Sequence, residues 1–94
     1  MSFNPSDRIR HIEGALTTHV DNELVILNMV TNQYIALDKI GRRIWELIEQ
    51  PLKVEDLCQQ MSREFAGEPE QIRRDVLDFL AELQTEDLLH VEGA

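Results

Sequence analysis

Apolar and polar residues between positions 15 and 37 follow the short period that is typical of β-strands. Three strands are predicted, at residues 16–20, 24–30 and 33–37. The short joints between them contain Asn and Asp, which tolerate the left-handed backbone of tight turns. Two tight joints in succession predict an antiparallel three-stranded meander, in which the second strand is central and the first and third strands are edges.

After residue 37 the apolar spacing changes to that of α-helices. Helices are predicted at residues 39–49, 54–65 and 69–84, with Asp38 as the N-cap of the first and Pro51 after its end. A four-residue turn joins the second and third helices, so this pair resembles a helix-turn-helix. The pattern predicts an α+β fold, a three-stranded antiparallel meander followed by three helices, similar to a winged helix-turn-helix.

The two ends of the chain lack a clear period. Residues 1–14 are largely polar and contain Pro5, so they are predicted to form a loose N-terminal arm. Residues 90–94 are predicted to be a frayed tail. The segment 15–89 is predicted to be one domain, because a chain of 94 residues can bury one modest core but not two.

Charge narrows the range of partners. Acidic residues number 18 against 9 basic ones, for a net charge of −9 that no basic block reverses locally. Such a field repels phosphate backbones and anionic membrane surfaces. The single cysteine excludes an internal disulfide, and no apolar run approaches the roughly 20 residues of a membrane span. We therefore expect a cytoplasmic protein that binds neither nucleic acid nor a membrane.

The sequence shows no group of residues that converge on a reaction. Its three histidines are spread over an arm, a strand and a tail, without metal-ligand spacing. Cys58 lies on the apolar stripe of a predicted helix, where a buried, inert thiol is expected. The glycines are dispersed and form no phosphate loop, and the carboxylates follow the pattern of solvated helix faces. We predict no catalytic residues, no metal, no cofactor and no enzymatic activity.

DNA binding is an alternative that the charge disfavours. Arg73 and Arg74 open the third helix, where they would reach DNA if it were a recognition helix. Residues 51–94, however, hold 11 acidic and 4 basic side chains. A surface of that composition loses most of the counterion release that supports binding to duplexes. A homodimer formed through a free strand edge is a further alternative.

Peptide binding fits the third predicted strand. This edge strand is apolar and lacks the charges and prolines that normally protect edges, so it can accept an incoming strand. The third helix is expected beside it. Leu77 lies off the main stripe of that helix, with Arg73 and Ala81 on its side, and could line a groove wall. The alternative is that Leu77 only widens the core face.

Three blocks of sequence, in this order, resemble the PqqD family over residues 15–89. They are "YIALDKIGRRIWELIE" at the strand-to-helix joint, "VEDLCQQMSREF" in the second helix and "IRRDVLDFLAELQTEDLL" in the third. Members of this family are precursor-recognition domains for ribosomally made, enzymatically modified peptides. Asp87 departs from the glycine that the family commonly has at this position. Aspartate reaches the left-handed conformation at modest cost, so the turn is expected to survive.

The resemblance implies that the chain binds the leader segment of a precursor peptide. The leader would add to the third strand as an antiparallel strand, in a groove against the third helix. The implied second partner is a separate leader peptidase, a cysteine protease of the lasso-peptide type, or, as the alternative, a radical-SAM maturase. The candidate peptide-binding residues are Val30, Gln33, Tyr34, Ile35, Ala36, Leu37, Arg73, Arg74, Leu77, Leu80 and Ala81.

Overall fold

The computed structural model describes residues 3–93. An antiparallel three-stranded meander precedes three helices among these residues, so the predicted α+β fold is confirmed. No helix among these residues is long and apolar enough to cross a membrane. In chain order the elements are β1 (Arg8–His11), β2 (Leu16–Val20), β3 (Glu23–Asn28), β4 (Gln33–Leu37), α1 (Lys39–Leu47), β5 (Leu52–Lys53), α2 (Val54–Glu64), α3 (Pro69–Thr85) and β6 (Leu89–Glu92).

The predicted meander is confirmed as an antiparallel sheet in the order β2-β3-β4. Val20 pairs with Glu23 across a two-residue turn, in which Asp21 has φ 51 and Asn22 has φ 71. Positive φ at both central residues is the geometry of a hairpin turn whose twist matches that of the strands. A four-residue loop joins β3 to β4, and β3 ends at Asn28, two residues before the predicted end.

The loose arm and the frayed tail are corrected, because both contribute strands to a second sheet in the order β5-β1-β6. In this sheet Ile9 pairs with Leu52 on one side and with Val91 on the other. Ile9 is 1% exposed and belongs to the core. Burial of this side chain and pairing on both edges of β1 hold the arm in place. Residues 1, 2 and 94 of the predicted arm and tail lie outside the described residues.

Helical stripes from all three helices meet β3 in one core. The largest fully buried side chains are Ile9, Ile26, Ile44, Ile48, Leu57, Met61, Val76, Leu80 and Leu83. The predicted N-cap of α1 is confirmed, because Asp38 Oδ1 accepts a hydrogen bond of 2.7 Å from the Gly41 amide. This cap fixes the point where the chain leaves β4 and turns into the helical layer.

The end of α3 is closed by a Schellman motif. The Leu88 amide donates to the Leu83 carbonyl at 2.9 Å, and the Asp87 amide donates to the Gln84 carbonyl at 3.1 Å. Asp87 has φ 57, so the left-handed turn expected at this position is present without glycine. The motif reverses the chain, and β6 then pairs with β1.

Candidate functional site

The outer edge of β4 is unpaired within residues 3–93, since β4 pairs only with β3. Val20 and Glu23 flank the two-residue hairpin turn and therefore form a hydrogen-bonded pair. From this pair onwards, hydrogen-bonded and non-hydrogen-bonded pairs alternate along the strands of the sheet. By this alternation Ile35 directs its backbone groups towards β3, whereas Tyr34 and Ala36 direct their N–H and C=O groups outwards. Two residues of β4 therefore offer backbone donors and acceptors to another strand.

A wall from α3 faces this edge across an open depression of about 280 Å³. Gln33, Tyr34 and Ile35 line its strand side, and Glu82, Thr85 and Glu86 line its helix side. A second depression, of about 390 Å³, continues past Glu82 towards the start of α1. The strand edge and the helix wall together form a groove, called the β4–α3 groove below.

Asn28 holds the strand side of the groove to the helix side. Its Nδ2 donates a hydrogen bond of 2.6 Å to the Glu86 carbonyl at the end of α3. Its Oδ1 accepts from the amides of Val30 and Thr31, at 3.0 and 3.3 Å, which shapes the β3–β4 loop. One buried side chain therefore sets both the loop conformation and the distance between β4 and α3.

The helix wall is acidic. Asp75, Asp78, Glu82 and Glu86 recur at spacings of three and four residues and line the two depressions. None of these four carboxylates takes part in the ion pairs found among residues 3–93. Asp75 accepts a hydrogen bond of 2.9 Å from Gln71. The groove therefore presents negative charge that the described part of the chain leaves unpaired.

The strand residues predicted for the site lie in different environments. Gln33, Tyr34 and Ile35 line the groove, and Ala36 is exposed on the same edge. Val30 lies in the β3–β4 loop and is 94% exposed, whereas Leu37 is 3% exposed and packs in the core. The side chain of Leu37 therefore anchors β4 in the core and is not exposed to a ligand.

The helix residues predicted for the site lie mostly on other faces of α3. At about 100° per residue, Arg73 lies about 180° and Leu77 about 140° around the helix from Glu82. Arg73 is instead close enough to Cys58 of α2 for its charge to oppose the rise in the pKa of that thiol that burial causes. Leu77 is partly buried against the core, as the alternative interpretation of this residue held. The side of α3 that lines the two depressions is therefore acidic, and peptide binding by Arg73 and Leu77 stays a prediction.

The other three predicted helix residues are distributed between the core and the surface. Leu80 is fully buried. Ala81 is partly buried against the core, and its carbonyl accepts a hydrogen bond of 2.9 Å from the Thr85 hydroxyl of the groove wall. Arg74 is exposed. Of the predicted helix set, Ala81 is the residue joined directly to the wall.

Sequence reasoning missed the residues that form the wall and its anchor. The sequence pattern predicts solvated carboxylates at Glu82 and Glu86 and a strand position at Asn28, and it assigns no role to Thr85. Acidic residues at i, i+3, i+7 and i+11, on one side of α3 and at its C-terminal end, were the available signal, because like charges at such spacings repel one another.

The environment of Cys58 disfavours the reactive thiolate form. It is partly buried, and burial raises its pKa, although the nearby Arg73 opposes this effect. A thiol with a raised pKa is less ionised at neutral pH and therefore less nucleophilic.

The outer face of the β2-β3-β4 sheet is a second notable surface. The register places Leu16, Leu27 and Tyr34 in one row across the three strands. Leu16 and Tyr34 are exposed, as is Val20 in the hairpin at the end of the same sheet. This surface, called the outer apolar face below, adjoins the groove at Tyr34.

Comparisons with known proteins agree with this geometry. The family described as coenzyme PQQ synthesis protein D (PqqD) matches residues 23–89. A comparison with curated proteins gave no match. TbiB1 in complex with the TbiA(beta) leader peptide has a TM-score of 0.74 at 29% identity, covering 90% of this chain and 99% of TbiB1.

Two further solved structures show the same fold. The PqqD part of Methylobacterium extorquens PqqCD, a stand-alone recognition element for ribosomally synthesised, post-translationally modified peptides, has a TM-score of 0.75 at 23% identity. The alignment covers 95% of each chain. Lasso peptide synthetase B1, complexed with the leader peptide, has a TM-score of 0.73 at 17% identity, covering 87% of this chain and 96% of the other.

Proposed function

The chain belongs to the PqqD family, and from this membership we propose that it binds the leader segment of a ribosomally synthesised precursor peptide. The leader adds to the free edge of β4 as an antiparallel strand and lies in the β4–α3 groove. TbiB1, which is 29% identical over 90% of this chain, has been solved with a leader peptide bound. This relative supports the assignment.

The unpaired β4 edge beside a groove is the observation that carries the proposal. An exposed edge strand favours aggregation, and proteins usually protect such edges with charges or proline. Gln33–Leu37 has neither, while the helix wall leaves room for side chains of an added strand. Backbone hydrogen bonds to the edge supply affinity, and the groove supplies specificity.

The site for the leader differs from the set expected from the sequence. Backbone groups of Tyr34 and Ala36 receive the added strand, and Ile35 contacts its inward side chains. Glu82, Thr85 and Glu86 replace Arg73 and Leu77 as the opposite wall. A short strand with two anchoring side chains gives an affinity of about micromolar to tens of nanomolar.

Proline at Ala36 tests strand addition while leaving the pairing with β3 intact. The Ala36 N–H points outwards, so Ala36→Pro removes a donor for the incoming strand, and edge positions tolerate proline. Loss of this bond with a buried acceptor left behind costs about 1–3 kcal/mol, which weakens binding about 5- to 150-fold.

The matched control is His19→Pro on β2, the opposite edge of the same sheet, where the backbone N–H also points outwards. Because the precursor is unidentified, peptides are first selected against the protein from a randomised display library, and their affinities are then measured by calorimetry. Strand addition to β4 predicts a loss for Ala36→Pro alone. Equal affinities of both variants and the wild type would refute it.

Delivery of the leader to a separate processing enzyme is the second part of the proposal. Holding the leader and docking on the enzyme raises the effective concentration of the cleavage or modification site. We favour a leader peptidase of the lasso-peptide type; a radical-SAM maturase is the alternative partner. Genes for a short precursor, a cysteine protease and an asparagine-synthetase-like cyclase beside this gene would support the first partner.

The outer apolar face is suited to the enzyme because a leader on the β4 edge leaves it uncovered. Leu16 and Val20 on this face are exposed and lie away from the groove. The double variant Leu16→Glu, Val20→Lys should keep its affinity for peptide and lose its stimulation of processing in a reconstituted reaction. Unchanged stimulation would exclude this face as the docking surface.

A further inference from the structure

We infer that the peptides accepted by the β4–α3 groove carry a lysine or arginine that binds between Glu82 and Glu86; this inference rests on the proposed function. The basic side chain belongs to the segment that pairs with the first half of β4. In an antiparallel strand this is the C-terminal half of the bound segment. The chemical class of ligand is therefore a basic extended peptide.

A buried acceptor without a donor is the first observation behind this assignment. Glu86 Oε1 is the one buried side-chain nitrogen or oxygen atom without a hydrogen-bond partner among residues 3–93. A buried carboxylate oxygen in this condition is costly, and native proteins rarely leave one unpaired. Because Glu86 also lines the open groove, a rotation of its side chain would bring this carboxylate to a donor on a ligand in the groove.

Unpaired charge along α3 is the second observation. Glu82 lies one turn before Glu86 on the same side of the helix and lines the same depression. Neither carboxylate takes part in an ion pair among the described residues. Two like charges at this spacing repel each other, and a cation placed between them removes the repulsion.

The position of both residues in α3 also favours a cation. They lie in and just after the last turn of a helix that ends at Thr85. The C-terminal end of a helix carries partial negative charge, which attracts cations. Asp87 follows immediately and adds a further negative charge. The helix dipole and the acidic side chains therefore both attract a cation to the C-terminal end of α3.

The shape of the groove fits a long basic side chain. Ile35 lies on the strand side of the same depression, so the aliphatic stem of lysine or arginine can lie along its apolar atoms. The charged head then reaches the carboxylates of the opposite wall. An arginine can bind a carboxylate through two parallel hydrogen bonds, which adds geometric specificity.

Selection from a randomised peptide library tests the inference without knowledge of the precursor. Peptides of about twelve residues cover the five-residue edge with several residues on each side. The wild type should enrich peptides with lysine or arginine at one fixed position of an extended apolar pattern. The double variant Glu82→Gln, Glu86→Gln should enrich the apolar pattern without the basic position.

A matched double variant controls for overall charge. Glu55→Gln, Glu70→Gln removes the same two charges from exposed first-turn positions of α2 and α3, away from the groove. It should select the same basic peptides as the wild type. A loss of the basic position in this variant would show that general charge attraction, not the groove, causes the enrichment.

Affinities then separate the basic contact from strand addition. A selected lysine peptide should bind the Glu82→Gln, Glu86→Gln variant about 10- to 100-fold more weakly than the wild type. The same peptide with glutamine at that position should bind both proteins within about twofold. Equal losses for both peptides, or wild-type selection without a basic position, would overturn the inference. Failure of the wild type to enrich any peptide would overturn the proposed function itself.

Discussion

Asn28 joins the two sides of the β4–α3 groove, so a change at this residue should alter both stability and binding. In Asn28→Asp the carboxylate still accepts from the amides of Val30 and Thr31. It cannot donate to the Glu86 carbonyl, which lies 2.6 Å from the present Nδ2 atom. The substitution therefore keeps the loop contacts and replaces one attractive contact with a repulsive one.

The expected cost follows from the burial of this contact. Asn28 is 7% exposed, so water does not readily replace the lost donor. A net hydrogen bond contributes about 0.5–1.5 kcal/mol, and a buried polar group left unpaired costs about 1–3 kcal/mol. We expect the free energy of unfolding to fall by about 2–3 kcal/mol, which lowers the Tm of a domain of this size by about 10–20 °C.

Urea unfolding followed by Trp45 fluorescence measures this change, and calorimetry with a selected peptide measures the effect on the groove. Asn32→Asp is the matched control, because it makes the same change in the same loop at a residue with φ 61. The control should change the stability by less than about 0.5 kcal/mol. Similar stabilities for the two variants would refute the role given to the contact between Asn28 and Glu86.

Two further predictions concern stability. Asp87→Gly should raise the free energy of unfolding by about 0.5–1 kcal/mol in urea titrations. Glycine adopts the φ of 57 without strain, and the substitution removes a negative charge beyond the C-terminus of α3. No gain in stability would contradict the strain assigned to this turn. Hydrogen bonds from Arg43 lower the pKa of Glu64, so the stability that this pair contributes is present above the ordinary Glu pKa and is lost as the pH falls through the lowered pKa. Glu64→Gln should therefore be less stable than the wild type at neutral pH and equal to it in acid, as measured by Tm against pH; a difference independent of pH would contradict the ion pair.

Local features of the fold could be predicted from the sequence, whereas long-range pairings could not. The meander, the three helices and the N-cap at Asp38 depend on residues close in the chain, and their patterns are regular. β1, β5 and β6 contain two to four residues each, and Ile9 pairs with residues more than 40 positions away. No local period of apolar residues marks such strands, so the sequence pattern predicts unstructured ends.

The candidate site was predictable on its strand side only. The free edge of β4 follows from the order of the strands in a meander, which the short joints determine. The face of α3 that opposes β4 depends on how the helix packs in three dimensions. Leu77 and Glu82 lie on different sides of one helix, and periodicity alone does not indicate which side meets the strand.

Amide hydrogen exchange along β4, measured by NMR, tests strand addition most directly. In the free protein the amides of Tyr34 and Ala36 should exchange rapidly, whereas the Ile35 amide is protected by its pairing with β3. A saturating concentration of a selected peptide should slow exchange at Tyr34 and Ala36 by at least about tenfold and leave His19 on the β2 edge unchanged. Unchanged exchange at Tyr34 and Ala36 in the peptide complex would contradict the binding of a leader to this edge.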